Sequence, residues 1–141
     1  MFLINFFNNF KKLKYLAYHD LLTGLLNRNW FYENINMFFN FKYVYFIDIN
    51  DLHKVNESGH TFGDEHIREI VKFIKNKLKS DEIFIRYSGD EFIIFSNREN
   101  FICTDRKVSI GLYRINEDII SSIHNADINM IENNNILKNK K

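Results

Sequence analysis

Residues 83–96 read IFIRYSGDEFIIFS, and this stretch decides the fold. Two segments rich in aromatic and β-branched residues, 83–87 and 91–96, flank the turn residues SGD at 88–90, which is the pattern of a β-hairpin. The second segment places apolar side chains on both faces of its strand, because apolar residues occupy successive positions. We therefore expect a hairpin inside a sheet that is covered on both sides.

The segments around this hairpin predict further strands and a helix. Residues 43–47 (YVYFI) form the continuous apolar run typical of a strand buried on both faces, and 107–113 (KVSIGLY) predict a last strand. A polar loop is expected after the first strand. Apolar residues then recur at helical spacing over 61–79, where Thr61 and Asp64 have the spacing of a helix-capping pair.

Helices are predicted at both ends of the chain. An amphipathic helix at 2–18 carries an apolar stripe that could pair with a second copy of itself, and a second helix is expected at 27–39. A closing helix is predicted at 117–131, followed by a polar, flexible tail at 133–141. Residues 19–132 would then form one domain.

The order of these elements resembles the α+β class with a ferredoxin-like or palm-type βαββ(α)β sheet. The second crossover helix of that arrangement belongs between the third and fourth strands. Only residues 97–106 lie there, which is too few for a full helix and two turns. We expect that helix to be shortened or missing, and the exposed sheet face to be covered by the C-terminal segment or by a second protomer.

Composition and charge exclude several classes of protein. The 141 residues suffice for one domain, and 45% of them are apolar. The formal net charge of +1 argues against nucleic acid as a partner and against a polybasic membrane anchor. The chain has no apolar run long enough for a membrane span, lacks the features of a signal peptide, and has a single cysteine, Cys103. These features predict a cytoplasmic protein without disulfides.

Three carboxylates are predicted to meet at one edge of the sheet. Asp48 ends the first strand, while Asp90 and Glu91 lie in the hairpin expected beside it. Converging carboxylates repel unless a cation lies between them, and oxygen ligands suit Mg²⁺, which also recruits phosphate oxygens. Two such ions about 3.5–4 Å apart would bracket an in-line attack on a phosphoryl group. The alternative is that Asp48 only ends a strand and that 88–90 is an ordinary turn, with Arg86 paired to Glu91.

Five motifs in sequence order resemble those of GGDEF domains, the diguanylate cyclase family. They are HDLLTGLLNR at 19–28, FIDIN at 46–50, GHTFGD at 59–64, RYSGDEF at 86–92 and SIG at 109–111. Ser88 replaces the first glycine of the naming motif, so that the signature here reads SGDEF. The chain is identified by this resemblance as a minimal, divergent member of that family.

The resemblance implies a palm-like enzyme that condenses two GTP molecules into cyclic di-GMP and releases pyrophosphate. Mg²⁺ or Mn²⁺ would be the cofactor, and two protomers, each with one GTP, would meet face to face. The implied metal ligands are the carboxylates of Asp48 and Asp90 and the carbonyl of Ile49. Glu91 would assist the metals or activate the 3′-hydroxyl, so the implied catalytic residues are Asp48, Asp90 and Glu91.

The resemblance also implies a set of substrate-binding positions. Asn56 and Asp64 would contact the guanine edge, since a carboxylate can accept two bonds from the N1–H and the exocyclic amine that adenine does not offer. The alternative role for Asp64 is to complete the helix cap with Thr61. The other positions implied to contact the nucleotide are Leu52, His53, Lys54, Ser88, Gly89 and Lys138.

Several positions depart from the family pattern. His53 stands where the family has a phosphate-binding lysine, although the neighbouring Lys54 could take that role with a small shift. The loop between residues 56 and 59 is one residue shorter than in the family, and a basic position of the closing helix falls on Asn134. Residues 79–82 (KSDE) replace the Arg-x-x-Asp of the inhibitory product site and lack the two-pronged donor of arginine. We therefore expect product feedback to be weak or absent.

Three functions remain open from the sequence. The first is a minimal diguanylate cyclase that acts as a homodimer. The second is a degenerate GTP-binding or dimerisation module without catalysis, which the shortened loop, His53 and Asn134 favour. The third is a small palm enzyme that makes another cyclic or linear oligonucleotide. No sensor domain is expected in this chain, so control would come from expression, self-association or a separate partner.

Overall fold

The computed structural model describes residues 1–57, 59–116 and 118–139, with the backbone alone at residue 60. A five-stranded mixed sheet has the strand order β1-β3-β4-β2-β5. Its strands are β1 (Leu26–Asn27), β2 (Tyr43–Ile49), β3 (Ile83–Arg86), β4 (Glu91–Ser96) and β5 (Val108–Arg114). The helices are α1 (Phe2–Tyr18), α2 (Arg28–Glu33), α3 (Leu52–Asn56), α4 (His60–Lys75) and α5 (Ile119–Asn139), with a 3₁₀ helix at Ile35–Asn40.

The predicted α+β, palm-type sheet is confirmed. β2 lies inside the sheet and pairs antiparallel with β4 on one side and β5 on the other. The hairpin partner β3 pairs antiparallel with β4, and β1 adds a parallel edge beside β3. The apolar run of β2 predicts this inner position, because both faces of the strand are buried. β1 was not predicted, since two residues are too few to form a pattern.

Hydrophobic cores lie on both faces of the sheet. On one face, α4 buries Ile67, Ile70, Val71 and Ile74 against the strands. On the other face, α2, the 3₁₀ helix and α5 cover the sheet, and the ring of Phe38 stacks on that of Phe95 at 4.0 Å. The buried aromatic residues Phe31 of α2 and Phe38 of the 3₁₀ helix therefore serve this core.

The connection between β4 and β5 contains no helix, as its length predicts. Phe101 and Ile102 of this connection pack against the core on the α4 side, where the crossover helix was expected. Arg98 anchors the connection by an ion pair with Glu82, with Nη2 and Oε2 2.6 Å apart. The described residues therefore cover this face of the sheet within one chain, and α5 covers the opposite face.

The predicted helix cap at Thr61 and Asp64 is wrong. α4 begins one residue earlier, at His60, and its N-cap is Gly59, which makes no side-chain cap hydrogen bond. Gly59 has φ 121°, a conformation that side-chain-bearing residues rarely adopt. The glycine sets the turn into the helix, so both candidate capping residues lie inside it.

Other boundaries differ from the predictions. The segment expected as a polar loop after β2 contains the short helix α3. The helix expected at 27–39 is divided at Asn34 into α2 and the 3₁₀ helix, and α4 ends at Lys75 rather than at residue 79. Residues 133–139 of the predicted flexible tail are helical, as part of α5. The predicted helix start at 117 and tail residues 140–141 lie outside the described residues.

α1 is exposed over nearly its whole length. None of its residues is buried, and its contacts with the domain are at its C-terminal end. There the Asn27 side-chain amide donates to the Ala17 carbonyl at 2.9 Å, and the Tyr18 hydroxyl donates to Glu33. Among the described helices, none combines the length and the apolar character that crossing a bilayer requires.

Candidate functional site

The three carboxylates predicted to converge lie at one end of the inner strands. Asp48 on β2 is directly opposite Glu91 on β4, so the two side chains are on the same face of the sheet. Asp90 precedes β4 in the hairpin, and the Ile49 N–H donates to the Asp90 carbonyl at 3.1 Å. Antiparallel pairing therefore places the hairpin turn beside the carboxyl end of β2. We call these three acids the acidic edge.

The acidic edge carries unbalanced negative charge. Burial, followed by the nearby carboxylates of Asp90, Glu91 and Asp127, raises the pKa of Asp48 to about 6. Burial and the charges of Asp90 and Asp127 also raise the pKa of Glu91. Within the described part of the chain, no lysine or arginine forms a salt bridge with any of these four residues. Such an arrangement favours a bound cation at neutral pH.

Asp127 of α5 is an addition that the sequence analysis missed. α5 approaches β5 closely because Gly111 leaves room: a Cβ there would lie 1.8 Å from the Ala126 carbonyl oxygen. Asp127 follows the buried Ala126, and its charge acts on Asp48, whose side chain lies on the sheet face that α5 covers. The only signal in the sequence was an acid beside the buried stripe of a helix.

The residues of the acidic edge fit a divalent cation that shares its coordination with a substrate. Across residues 1–57, 59–116 and 118–139, no three His, Cys, Asp or Glu side chains form a group that could hold a metal by itself. Mg²⁺ commonly uses one or two carboxylates together with water and substrate phosphates. The predicted ligands, two carboxylates and the Ile49 carbonyl, have that composition.

Arg86 joins the hairpin to the opening turn of the domain. Its guanidinium donates to the Gly89 carbonyl from Nη2 at 2.7 Å and from Nε at 3.1 Å. Its Nη1 forms an ion pair with Asp20 at 2.9 Å, and Thr23 donates two further hydrogen bonds to Asp20. The alternative pairing of Arg86 with Glu91 is therefore wrong. Arg86 instead fixes the backbone next to Asp90.

The two residues predicted to contact guanine lie on neighbouring helices. Asn56 is the last residue of α3, and its side chain lies over Gly63 of α4, where a Cβ would be 1.8 Å from Oδ1 of Asn56. Asp64 follows Gly63 directly and is exposed. The absence of a side chain at Gly63 therefore brings the Asn56 amide close to the helix turn that bears Asp64.

The other predicted nucleotide-binding positions are divided between α3 and the hairpin. Leu52 is half-buried, and its side chain packs against the hydrophobic core. His53 and Lys54 are exposed, and Lys54 forms an ion pair with Asp51 at 2.7 Å. The hairpin positions 88–89 are exposed as well. Of these five positions, Leu52 is half-buried and the other four are exposed.

A cavity of about 680 Å³ opens past the end of β2, where Asn50 and Asp51 line it; the three acids of the acidic edge are not among its lining residues. Lys138, predicted to contact the nucleotide, lines this cavity together with Asn134. The β4–β5 connection adds Arg106 to the same wall. The place of Arg106 at this cavity was not predicted, because the connection has no sequence pattern that indicates its path.

The segment 79–82, expected to have lost product feedback, is engaged within the domain. The Glu82 side chain is 1% exposed and accepts from Arg98 and from the Ser96 hydroxyl, the latter at 2.7 Å. The Lys79 N–H also donates to Glu82 at 2.7 Å. Glu82 therefore lacks acceptor capacity for an external ligand, and weak product feedback stays a prediction.

The family of diguanylate cyclase GGDEF domains matches residues 17–104, more than half of the chain. The chain belongs to the GGDEF family. This GGDEF domain is 33% identical over 111 residues to the cyclic di-GMP phosphodiesterase PdeR and 28% identical over 123 residues to the diguanylate cyclase DgcP, both of Escherichia coli (strain K12). The two matches cover 74% and 81% of this chain but only 17% and 35% of the relatives. The chain thus corresponds to a minor part of each.

Solved structures share the architecture of this GGDEF domain. The coiled coil and GGDEF domain of DgcB from Caulobacter crescentus, in complex with c-di-GMP, has a TM-score of 0.79 at 19% identity, over 92% of this chain and 86% of that one. A diguanylate cyclase/phosphodiesterase from Caldicellulosiruptor saccharolyticus has a TM-score of 0.72 at 26% identity, over 85% and 88%. The palm-type sheet is therefore the family fold.

Proposed function

We propose that this GGDEF domain condenses two GTP molecules into cyclic di-GMP, as a homodimer that requires Mg²⁺ or Mn²⁺. The observation that supports the proposal is the acidic edge. Asp48 lies opposite Glu91, Asp90 is hydrogen-bonded to the backbone of the same strand, and no basic side chain among the described residues offsets their charge by a salt bridge. A cation that bridges protein carboxylates and nucleotide phosphates accounts for this arrangement.

In the proposed reaction, the 3′-oxygen of each GTP forms a bond to the α-phosphorus of the other. Both bonds between the α- and β-phosphates break, and two pyrophosphates leave. Asp48, Asp90 and the Ile49 carbonyl would hold the divalent cation, which when bound offsets the charge of the phosphates. Glu91 lies beside Asp48, and its raised pKa suits a group that accepts the proton of the attacking hydroxyl.

The remaining residues of the site position the two substrates. Asn56 and Asp64 would contact the guanine edge, and Lys138 and Arg106 would face the triphosphate from the walls of the neighbouring cavity. Most of the rate enhancement in such a reaction comes from alignment and charge stabilisation. Because each chain would bind one GTP, two exposed hairpins must face each other before either hydroxyl can attack.

The test is incubation of the purified chain with each of the four nucleoside triphosphates, singly and mixed, in Mg²⁺ or Mn²⁺, with products identified by mass spectrometry. Cyclic di-GMP from GTP alone is expected. Asp90→Asn should reduce its formation at least about 100-fold without lowering the melting temperature. The matched control is Asp81→Asn, an exposed acid outside the site, which should leave the rate unchanged. Normal turnover by Asp90→Asn would show that the metal-site assignment is wrong.

A nucleotide-binding module without catalysis is the second candidate. Two features favour it: Asn134 takes a basic position of the family's closing helix, and Lys54 is paired with Asp51 rather than left to a phosphate. For such a module, GTP would raise the melting temperature in the same samples while no product forms. A different cyclic or linear product would instead assign the third function, a palm enzyme with another product.

A further inference from the structure

We propose that Arg28 binds the phosphates of the GTP that the partner chain holds, as an arginine supplied in trans. This inference rests on the proposed function, because it requires two chains that each bind one GTP. Three features support it: Arg28 lies level with the acidic edge, two aromatic rings hold its guanidinium, and no carboxylate among the described residues forms a salt bridge with it. A guanidinium can donate two parallel hydrogen bonds to a phosphate, which is the anion that the proposed reaction brings to this edge.

Arg28 lies in the same row across the sheet as the acids. β1 pairs with β3 in a register that places Arg28, the residue after β1, level with Tyr87. The Tyr87 N–H donates to the Glu91 carbonyl at 2.9 Å, and Glu91 is directly opposite Asp48. Neighbouring strands lie about 4.8 Å apart, so the backbone of Arg28 is about 10 Å from that of Glu91 and about 14 Å from that of Asp48. Arg28 therefore ends this row on the β3 side.

Two tyrosine rings hold the guanidinium of Arg28. Its Cζ lies 4.6 Å from the ring centre of Tyr87 and 5.5 Å from that of Tyr32, and its Nη2 donates to the Tyr32 hydroxyl at 3.3 Å. The two hydroxyls are 3.0 Å apart, so the rings support each other. Tyr87 packs against the core on the sheet face that α2 and α5 cover, which is also the face of Asp48. Aromatic rings orient a cation but leave its charge in place, so Arg28 is fixed without being neutralised.

Arg28 also differs from other arginines of the domain in its charge balance. Arg86 and Arg98 are each paired with a carboxylate, whereas Arg28 is exposed and has no such pair within residues 1–57, 59–116 and 118–139. Burial and neighbouring carboxylates raise the pKa of Glu91, and the charge of Arg28 opposes that shift. A cation close to the acids but unpaired with any of them is available to an anionic ligand.

The GTP bound by the same chain is expected on the far side of the acidic edge from Arg28. Its proposed guanine contacts, Asn56 and Asp64, lie on α3 and α4, and α4 packs on the opposite face of the sheet. The cavity lined by Lys138 and Arg106 adjoins β5, the strand farthest from β1. In this arrangement no part of that nucleotide lies beside Arg28, so the ligand of Arg28 has to come with the second chain.

The chemistry of the product brings the second nucleotide to this place. The two phosphates of cyclic di-GMP belong to one small ring, so the two α-phosphates must approach each other closely while the bonds form. Each chain then carries its Arg28 toward the phosphates that the other chain holds. There the guanidinium offsets the negative charge of the attacked phosphate and of the departing pyrophosphate.

The first experiment measures initial rates of cyclic di-GMP formation. Arg28→Gln should lower the rate about 100-fold, and Arg28→Lys, which keeps the charge but not the two-pronged donor, about tenfold. GTP affinity, measured on dilute, monomeric chain, should stay unchanged in both variants, because the GTP of the same chain is held elsewhere. The matched control is Arg114→Gln, an exposed arginine at the other end of the sheet, which should leave the rate unchanged.

A mixture of two impaired variants tests the action in trans. In a dimer of Arg28→Gln with Asp90→Asn, the GTP of the Arg28→Gln chain keeps its cation site and faces the intact arginine of the other chain. The 3′-oxygen of the other GTP can then bond to its α-phosphorus as one pyrophosphate leaves, which gives the linear dinucleotide pppGpG. Mass spectrometry should detect pppGpG in the mixture well above its level in either variant alone. An arginine acting in cis would leave each GTP of the mixed dimer without either its cation site or its arginine.

The possible outcomes separate this inference from the proposed function. An active parent chain with Arg28→Gln equally active would overturn the role of Arg28 while the cyclase proposal stands. Loss of activity in Arg28→Gln without pppGpG from the mixture would overturn the action in trans and assign Arg28 to support of its own chain. A parent chain that makes no product from GTP would overturn the proposed function, and this inference with it.

Discussion

At Asp48 the fold favours the protonated carboxyl group, whereas the proposed binding of a cation uses the carboxylate. Its carboxyl group is half-buried on the strand next to Glu91, and burial and neighbouring acids raise its pKa to about 6, against an ordinary value of 3.8. The folded protein therefore holds this proton more tightly than the unfolded chain does. Its contribution to stability is full below about pH 4 and is lost as the pH rises through about 6.

Replacing Asp48 should therefore stabilise the metal-free protein. At about pH 7.5, Asp48→Asn should raise the free energy of unfolding by about 1 kcal/mol, a value reduced for the water that reaches this carboxyl, with little change at about pH 4.5. Urea denaturation at both pH values measures it. Mg²⁺ should stabilise the parent chain above pH 6 but not the variant. A variant less stable than the parent at both pH values would contradict this account.

Gly63 offers a second test at the scale of a residue. The Cβ of Gly63→Ala would overlap Oδ1 of Asn56, the far end of a flexible side chain, so the amide moves while the helix stays intact. GTP affinity should fall about tenfold with little change in melting temperature, since alanine also favours the helix by about 1 kcal/mol. Calorimetric titration of GTP, with exposed Glu65→Ala as the control, measures it. Unchanged affinity would exclude Asn56 from the guanine contact.

Among the elements, α5 determines whether a fourth acid, Asp127, lies near the acidic edge. Its approach to β5 depends on Gly111, because a side chain there would meet the backbone of α5 at the Ala126 carbonyl oxygen and at the Met130 nitrogen, 1.8 and 2.5 Å away. Backbone atoms cannot move aside as a side-chain tip can. The close packing of α5 on β5 therefore both completes one core and places Asp127 near Asp48.

Gly111→Ala should separate α5 from the sheet and destabilise the fold. The expected loss in free energy of unfolding is about 3 kcal/mol, at the upper end for an overpacked core. Urea denaturation measures it, and Gly89→Ala is the matched control, because a Cβ at Gly89 has no atom within 4 Å. A loss below about 1 kcal/mol would show that α5 can shift without consequence.

The ion pair between Asp20 in the opening turn and Arg86 next to the hairpin gives a prediction about both segments. Asp20→Asn leaves the largely buried Arg86 guanidinium without its ion-pair partner and should cost about 2 kcal/mol. The pKa of Asp20 is lowered: burial opposes this, but hydrogen bonds from Thr23 and Arg86 outweigh it. The contribution of this ion pair to stability is therefore present above about pH 4 and is lost as the pH falls below that value. A double-mutant cycle with Arg86→Gln should give a coupling above about 1 kcal/mol, and additivity would contradict the link.

For the whole molecule, the proposed activity depends on an encounter between two chains. In that reaction each chain would supply one acidic edge and one GTP, so neither could close the ring of the product by itself. At concentrations where the chain is mostly monomeric, doubling the protein should quadruple the initial rate of cyclic di-GMP formation. Initial rates across a dilution series, with mass measured by ultracentrifugation, test this. A rate proportional to concentration in a monomeric sample would contradict a homodimeric enzyme.

The inner strands, the hairpin and the family motifs were predictable because a local pattern in the sequence encodes each of them. The apolar run at 43–47 and the paired segments around 88–90 specify inner strands and a turn from their own residues. Their pairing then follows, and with it the meeting of Asp48 with the hairpin acids. The predicted absence of a helix between β4 and β5 needed only the length of that connection.

Other features depend on contacts between distant parts of the chain, and the sequence alone did not reveal them. β1 exists because β3 pairs with it. The packing of α5 brings Asp127 near Asp48, and the path of an irregular connection brings Arg106 to the wall of the cavity past β2. The sequence by itself therefore determined the family, the inner strands and the three acids at their ends, since local patterns encode these. Only the tertiary structure decided what covers each sheet face and which charges surround Asp48, because burial and proximity arise when separate segments pack together.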